Sequence, residues 1–454
     1  MAKITQSFLF SYKNVEAKSD IDRLKYVFDV IPDEQLMQTL EKNRNKGRNE
    51  YPIRAMWNSV LAGIVFGHES IESLRRELSR NGELRDLCGF DPFAGGGAVP
   101  PSYAYSRFLK NVMKNEKELR SMFNELVKQL KKVLPDLGRI LAVDSKAVNS
   151  AGKSAKKNMP PDGRRDTDAN WGKKSYKGRT RSGKLWEKTK KWFGYKIHLI
   201  ADAVYELPLY YDVTRANVSD GVMLLPMMKD LKQKQPEIIE DAEYCDCDRG
   251  YDSEENNREL YDSYKIKPVI GIRRMWKDGE KTRVLDETKS DNIVYDENGG
   301  IYCVSSDPSG KSGTEMRAMV YDGFEEARST LKYRCPARFY GFDCPELKNC
   351  GSSDYGRVVR VNINKNRRLF TPLPRNSVKW LKIYNKRTAV ERINSRLDVS
   401  FGFERHYIRG IKKMKMRNCL ALIVMLSMAL GSIMEKQPEK MRSLVWSSIK
   451  AQAA

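Results

Sequence analysis

Three acidic residues stand where a carboxylate can do chemistry. Asp144 closes the apolar run Ile140-Leu141-Ala142-Val143, and Asp248 closes a second run that begins near Ile238. An acid that ends an otherwise buried strand must be solvated, paired or bound to a cation. Glu391 follows on a segment of helical spacing, one turn beyond Arg387. Taken singly, each acid also fits a turn or a helix cap. Asp246, two residues before Asp248, would share its strand face, but Gly250 lets the chain turn just after Asp248 and marks that residue as the one at the strand end. The three histidines, His68, His198 and His406, are far apart in sequence, which argues against a histidine-based zinc hydrolase. Two glycine segments fail as phosphate loops: Gly95-Gly96-Gly97 has no lysine after it, and Ser309-Gly310-Lys311-Ser312 has Ser305 where the first glycine belongs.

The acids need rigid elements to hold them. Ile53, Met56, Trp57, Val60, Leu61, Ile64 and Val65 recur at helical spacing, and Ile71, Leu74 and Leu78 continue the pattern after Gly67. This predicts a helical N-terminal part ending in a Phe93–Pro101 loop, after which Ser102 caps a further helix; packing and DNA reading are both open to it. From Arg139 the pattern becomes that of strands. Trp192–Ile200 and Leu207–Val213 read as a hairpin turning at Tyr205-Glu206. A helix from about Asp220, a strand from about Ile238 to Asp248, a helix from Ser253 and a strand over Ile266–Ile272 follow. Arg273–Phe370, rich in Gly, Asp, Ser and short β-prone runs such as Ala318–Tyr321 and Val358–Val361, reads as an inserted, mostly β domain. A long helix from Ser377 then carries Leu381, Tyr384, Arg387, Glu391 and Asn394 along one side.

The expected fold class is α/β: a ribonuclease H-like mixed sheet with flanking helices, an N-terminal helical domain and a β-rich insertion. The expected domains are 1–137 (helical), 138–272 (first part of the core, with a basic arm over 151–191), 273–370 (insertion), 371–434 (second part of the core, with the glutamate helix) and 435–454 (tail). In such a sheet the first and fourth strands are neighbours, which brings Asp144 and Asp248 together and lets Glu391 complete a cluster. Three carboxylates without a histidine suit Mg²⁺ or Mn²⁺, hard ions that keep waters and phosphate oxygens in their shell. Two such ions roughly 3.5 to 4 Å apart serve phosphodiester displacement. The partner follows from charge. Eighty-two basic against 59 acidic residues leave +23 on a chain with 31% charged and 40% hydrophobic residues, a soluble globular composition that favours a polyanion, nucleic acid first. Ribosomal and membrane-surface binding stay open.

At this point the sequence resembles the DDE transposases of bacterial insertion sequences, and within them the branch with a Tyr-Arg-Glu-Lys signature. The motifs are Leu141-Ala142-Val143-Asp144-Ser145-Lys146, Asp248-Arg249-Gly250-Tyr251-Asp252-Ser253, and Tyr384 with Arg387, Glu391 and Arg392-Ile393-Asn394-Ser395-Arg396-Leu397. Gly194-Tyr195-Lys196-Ile197-His198 and Glu72-Ser73-Leu74-Arg75 support them over about Ile53 to Met434. The resemblance implies that Asp144, Asp248 and Glu391 are the metal-binding catalytic triad, that Tyr384 and Arg387 contact DNA phosphates, and that the substrates are double-stranded terminal inverted repeats and target DNA, handled by a homodimer in the DNA complex. The signature lysine, expected seven residues after Glu391, is Asp398; Arg392 or Arg396 is the substitute charge, and the branch's hairpin intermediate loses support. A domesticated, inactive DNA-binding protein and a nuclease that does not join strands are the alternatives.

The arm over 151–191 mixes many Lys and Arg, among them Lys173, Lys174, Lys177 and Arg179, with Trp171, Tyr176 and Trp186; it reads either as a solvated loop or as a DNA-contacting segment that follows phosphates and stacks bases. Cys303, Cys335, Cys344 and Cys350 all fall in the insertion. Four thiolates can bind structural Zn²⁺, but Cys335-x8-Cys344-x5-Cys350 lacks the close pairs of the usual ribbon, so unligated thiols are expected. The apolar run Cys419–Met434, 16 residues with Ser427, Gly431 and Ser432 inside it, falls short of a bilayer span and reads as a core helix. With no apolar signal at the start and too few cysteines for a disulfide scaffold, a cytoplasmic, nucleoid-associated protein without a membrane partner is expected.

Overall fold

The computed structural model describes residues 20–44, 50–154, 165–180, 182–287, 292–306, 314–346, 350 and 353–442. The chain divides into two compact units, one of Met1–Pro135, Ala147–Tyr195 and Ile393–Ala454, the other of Asp136–Lys146 and Lys196–Arg392.

The first unit is mainly helical: α1 Asp20–Val30, α2 Glu34–Arg44, α3 Ile53–Val65, α4 Ile71–Arg80, α5 Gly82–Cys88, α6 Ser102–Lys114 and α7 Glu116–Val133. Gly67, at φ +66, makes the break between α3 and α4. Ser102 begins α6 but gives no capping hydrogen bond; Pro101 holds the cap position. The apolar run near the C-terminus lies inside the longest helix, Ile411–Met434, which is long and apolar enough to cross a membrane. Its side chains from Cys419 to Gly431 are nevertheless buried, packed against α1, α3 and α7.

One six-stranded sheet carries the chemistry-bearing strands. Its members are β1 Ile140–Asn149, β2 Asn170–Arg179, β3 Leu185–Asp202, β4 Pro208–Arg215, β5 Tyr244–Cys247 and β6 Lys267–Ile270, in the order β2-β3-β1-β5-β6 with β4 on β3. The β4-β3-β1-β5-β6 order, with β1, β5 and β6 parallel, is the ribonuclease H-like arrangement. Helices α8 Asp220–Lys234, α9 Pro236–Asp241 and α10 Glu254–Asp262 connect the strands of the second unit. Ser253 caps α10 by accepting from the Asn256 N–H at 3.1 Å.

Four expectations are corrected. Ile238-Ile239 belongs to α9, which Pro236 opens, and the strand starts only at Tyr244. β1 does not stop at Asp144 but runs on to Asn149. Part of the basic arm is the strand β2, paired with a β3 that starts at Leu185 rather than Trp192. The helix from Ser377 is not continuous: α12 Val378–Tyr384, after α11 Pro336–Tyr340 of the insertion, gives way to a 3₁₀ turn over Asn385–Arg387 before α13 Thr388–Phe401; Ile411–Met434 is then α14.

Between Arg273 and Phe370 lie two small sheets. β7 Thr282–Val284, β8 Ile293–Asp296, β9 Ile301–Ser306 and β10 Thr314–Ala318 form one, in the order β10-β9-β8-β7. β11 Val320–Glu325, β12 Thr330–Arg334 and β13 Val358–Asn362 form the other. Ile293, Ile301, Leu331, Tyr333, Ile363 and Phe370 share one buried cluster.

Candidate active site

Strand register sets the first relationship. β1 and β5 pair in parallel with Ile140 opposite Tyr244 and Val143 opposite Cys247. The next residue is Asp144 in β1 and Asp248 just past the end of β5, so the register sets the two acids on neighbouring backbones. Both act on the local backbone: Asp144 Oδ1 accepts from the Ser145 N–H at 2.7 Å, and Asp248 Oδ1 accepts from the Gly250 N–H at 2.6 Å. That second bond caps the 3₁₀ turn Arg249–Tyr251. A Cβ at Gly250 would meet Asp248 Oδ1 at 2.6 Å, so only glycine leaves the carboxylate in place. Tyr251 is buried below; burial pushes its phenol well up, and Asp144, Asp220 and Asp248 add to the shift.

The second relationship comes from the helical segment. Ser377 caps α12 through the Trp380 N–H, and Trp380 stacks on Tyr384 with ring centroids 4.5 Å apart and planes 16° apart. Beyond the 3₁₀ turn, Arg387 Nη1 donates to Glu391 Oε1 at 3.1 Å and stands 4.0 Å from Asp144 Oδ2. Burial opposes the charge on Arg387, but Asp144 and Glu391 outweigh it and hold the guanidinium above its ordinary pKa. Asp144, Arg387 and Glu391 thus form one chain of charge. Tyr384 reaches toward β6: a Cβ at Gly271 would meet its hydroxyl oxygen at 2.5 Å.

Other residues singled out in the sequence are placed differently. Arg392 donates through Nε to Glu206 Oε1 at 2.7 Å and through Nη1 to Thr388 Oγ1 at 2.8 Å. Arg396 is half-buried, one turn further along α13, and falls in the other unit with Lys173 and Lys174, which are exposed on β2. Lys177 and Arg179 contribute backbone to β2, and their side chains lie outside the described residues. Asp246 sits inside β5 between Ala142 and Val269, 0% exposed, with neither carboxylate oxygen hydrogen-bonded. Burial first, then Cys245, pushes its carboxyl up to about 9 against the pull of Arg387. Sequence reasoning missed the Trp380 platform, whose signal was an aromatic pair at i, i+4, and Glu206, which carried none.

Among the described residues no three His, Cys, Asp or Glu side chains are gathered closely enough to hold one ion as they stand. The donor set of the two strand-end acids and Glu391 is all oxygen, and a cationic group is drawn between two of them. Both facts fit a hard divalent cation.

The family model for the transposase DDE domain matches residues 135–427, more than half of the chain, and the chain belongs to that family. A second model, the transposase domain DUF772, matches residues 12–111. The protein is therefore a transposase, of a family that generally works with divalent metal ions. No curated protein matches. Among solved structures the chain is similar to a piggyBac transposase in a cryo-EM synaptic complex with hairpin DNA, at 12% identity and a TM-score of 0.38, over 96% of this chain and 80% of that one.

Proposed function

We propose that this transposase binds the terminal inverted repeats of an insertion sequence and carries out cut-and-paste transposition, with Asp144, Asp248 and Glu391 as the catalytic, metal-binding acids. The observation that supports this reading is the place of Asp144 between the other two acids: its backbone follows Val143 as Asp248 follows Cys247 in the paired register, and Arg387 lies between it and Glu391.

The carboxylates would hold Mg²⁺ or Mn²⁺, two ions in the full site, and such ions activate the attacking oxygen and stabilise the leaving one. The chain's own residues do the rest. The three acids supply a fixed negative frame whose shape depends on Gly250 and on the β1–β5 register. Arg387 is held between acids in the free protein, and a DNA phosphate is a competing bidentate partner for its guanidinium. Tyr384, fixed against Trp380, presents its hydroxyl on the same segment and binds phosphate beside Arg387. These placements support the reading of the chain as one of the Tyr-Arg-Glu-Lys branch, with Asp398 in the lysine position. Arg392, which is paired with Glu206, or Arg396 would supply that charge.

The β2–β3 ribbon is the proposed DNA-backbone contact. Its register sets Lys173 opposite Lys191 and Lys174 opposite Lys190. Like charges directly opposite each other destabilise a strand pair, and a polyanion along the ribbon removes the repulsion. The working form on DNA is a homodimer in a bacterial cytoplasm, close to the nucleoid.

Terminal-repeat DNA with Mg²⁺ or Mn²⁺ tests the reading. The expected result is nicking at the repeat end, joining of the released end into a target plasmid, and neither in chelator. Cutting without joining would leave a nuclease, binding without cutting a domesticated protein, and equal cutting in chelator would remove the metal mechanism.

A further inference from the structure

The four cysteines of the insertion come from three separate stretches of chain, yet they line a single cavity of about 30 Å³. Cys303 lies on the inner strand β9, opposite Ile293 of β8 and Arg317 of β10. Cys335 follows β12 directly and opens α11: its N–H donates to the Arg357 carbonyl at 2.9 Å, and its own carbonyl accepts from Phe339 at 3.1 Å. Gly356, at φ +76, packs so close that a Cβ there would stand 2.8 Å from the Cys335 Cβ. Cys344 and Cys350 approach from the following loop, where the Cys350 N–H donates to the Glu346 carbonyl at 2.9 Å. All four are half-buried and none is in a disulfide.

We propose that Cys303, Cys335, Cys344 and Cys350 together bind one structural Zn²⁺ that ties the two small sheets of the insertion to the loop after α11. Spacing alone argued against this, because it lacks close cysteine pairs; the fold supplies the pairing that the sequence does not. A tetrahedral four-thiolate site needs its ligands around one point at about 2.3 Å from the metal. The thiols as they stand are not drawn in that far, and on binding they turn into the cavity. Each loses its proton to solvent, four in all, and the Zn²⁺ with four thiolates carries a net charge of −2.

Three arginines in the cavity wall, Arg317, Arg338 and Arg357, bring positive charge to it. Arg317 and Arg357 both line it, Arg357 anchored by Nη1 to Asn292 Oδ1 at 2.8 Å and Arg317 bonded to Glu315 and set over the Phe342 ring at 4.1 Å. Among the described residues, Glu346 is the one acid on the wall.

Full-length protein purified under reducing conditions without chelator should contain one equivalent of zinc by elemental analysis. Replacement with Co²⁺ should give sulfur-to-cobalt charge-transfer absorption and the intense visible bands of a tetrahedral four-thiolate site. Cys344→Ser and Cys350→Ser should each lose the metal or the four-thiolate spectrum, whereas Cys88→Ser, Cys419→Ser and Asp144→Asn should keep both. Metal content and spectrum are read on wild-type protein without DNA, so they stand apart from the folding of any variant and from the outcome of the transposition assay. Four freely titratable thiols with no bound metal after zinc reconstitution, or a cobalt spectrum without sulfur charge transfer, would overturn the proposal.

Discussion

Arg387 and Glu391 lie one helical turn apart and share a 3.1 Å hydrogen bond, and the same guanidinium nitrogen faces Asp144 at 4.0 Å. Asp144 and Glu391 are therefore held beside one cation from the chain itself. Asp144→Asn, Asp248→Asn and Glu391→Gln keep side-chain shape while removing the charge proposed to bind metal. Each should lower repeat cleavage by at least about a thousandfold, equivalent to several kcal/mol of transition-state stabilisation. Gel-shift affinity for the same DNA should stay within a few-fold. A variant that cuts normally would take its residue out of the triad.

Asp246 provides the contrast. It is buried in β5, and its carboxyl, pushed up to about 9, is neutral at ordinary pH. An amide replaces a neutral acid with little change of shape or charge. Asp246→Asn should fold and cut within a few-fold of wild type in the same assay. Folded but dead Asp246→Asn beside active Asp248→Asn would show that the register argument picked the wrong acid.

The basic ribbon makes a prediction about salt. Neutralising Lys173, Lys174, Lys177 and Arg179 together should flatten the plot of log affinity against log salt by about 0.9 for each phosphate that the ribbon no longer neutralises. Fluorescence anisotropy between low and moderate salt gives the slope, and an unchanged slope would mean that the ribbon does not touch DNA.

A pH dependence follows from His198 on β3. Burial pulls its pKa down to about 4; Asp220 and Asp212 oppose the shift and Lys196 assists it, while the ring shares a 2.8 Å hydrogen bond with Thr214 Oγ1. A lowered histidine pKa means that the unfolded chain binds the proton first. The contribution of His198 to stability should therefore be flat above about pH 6.5 and fall as pH drops from there toward 4, by roughly 3 kcal/mol in full. His198→Gln should remove that part of the slope in denaturant titrations at pH 7, 5.5 and 4.5.

What was legible in the sequence was local. The glycine after Asp248 marks a strand end by itself, the apolar run before Asp144 marks only where the fully buried part of β1 gives way to its half-buried continuation, and the i, i+4 spacing of Arg387 and Glu391 needs only helix geometry. Ile238-Ile239 misled because a short apolar run fits a buried strand and a helical turn equally; Pro236 was the signal that decided it. The strand in the basic arm was hidden because lysine and glycine are poor strand formers, so only pairing with β3 makes them one. The meeting of four cysteines from β9, the end of β12 and a later loop is tertiary, and no spacing rule carries it.

The 3₁₀ turn at Asn385–Arg387 fixes a phase. An α-helix advances about 100° per residue and a 3₁₀ turn about 120°, so three tighter residues rotate everything after them by roughly 60° relative to an unbroken helix. The angle between the Trp380–Tyr384 stack and Glu391 is set by that count. A substitution in the turn can keep it, but an insertion or deletion of one residue would swing Glu391 about a quarter turn or more away from Asp144. Over evolutionary time, then, Asn385 and Lys386 can change their letters but the stretch cannot change its length, whereas the loops of the insertion away from its four cysteines can do both.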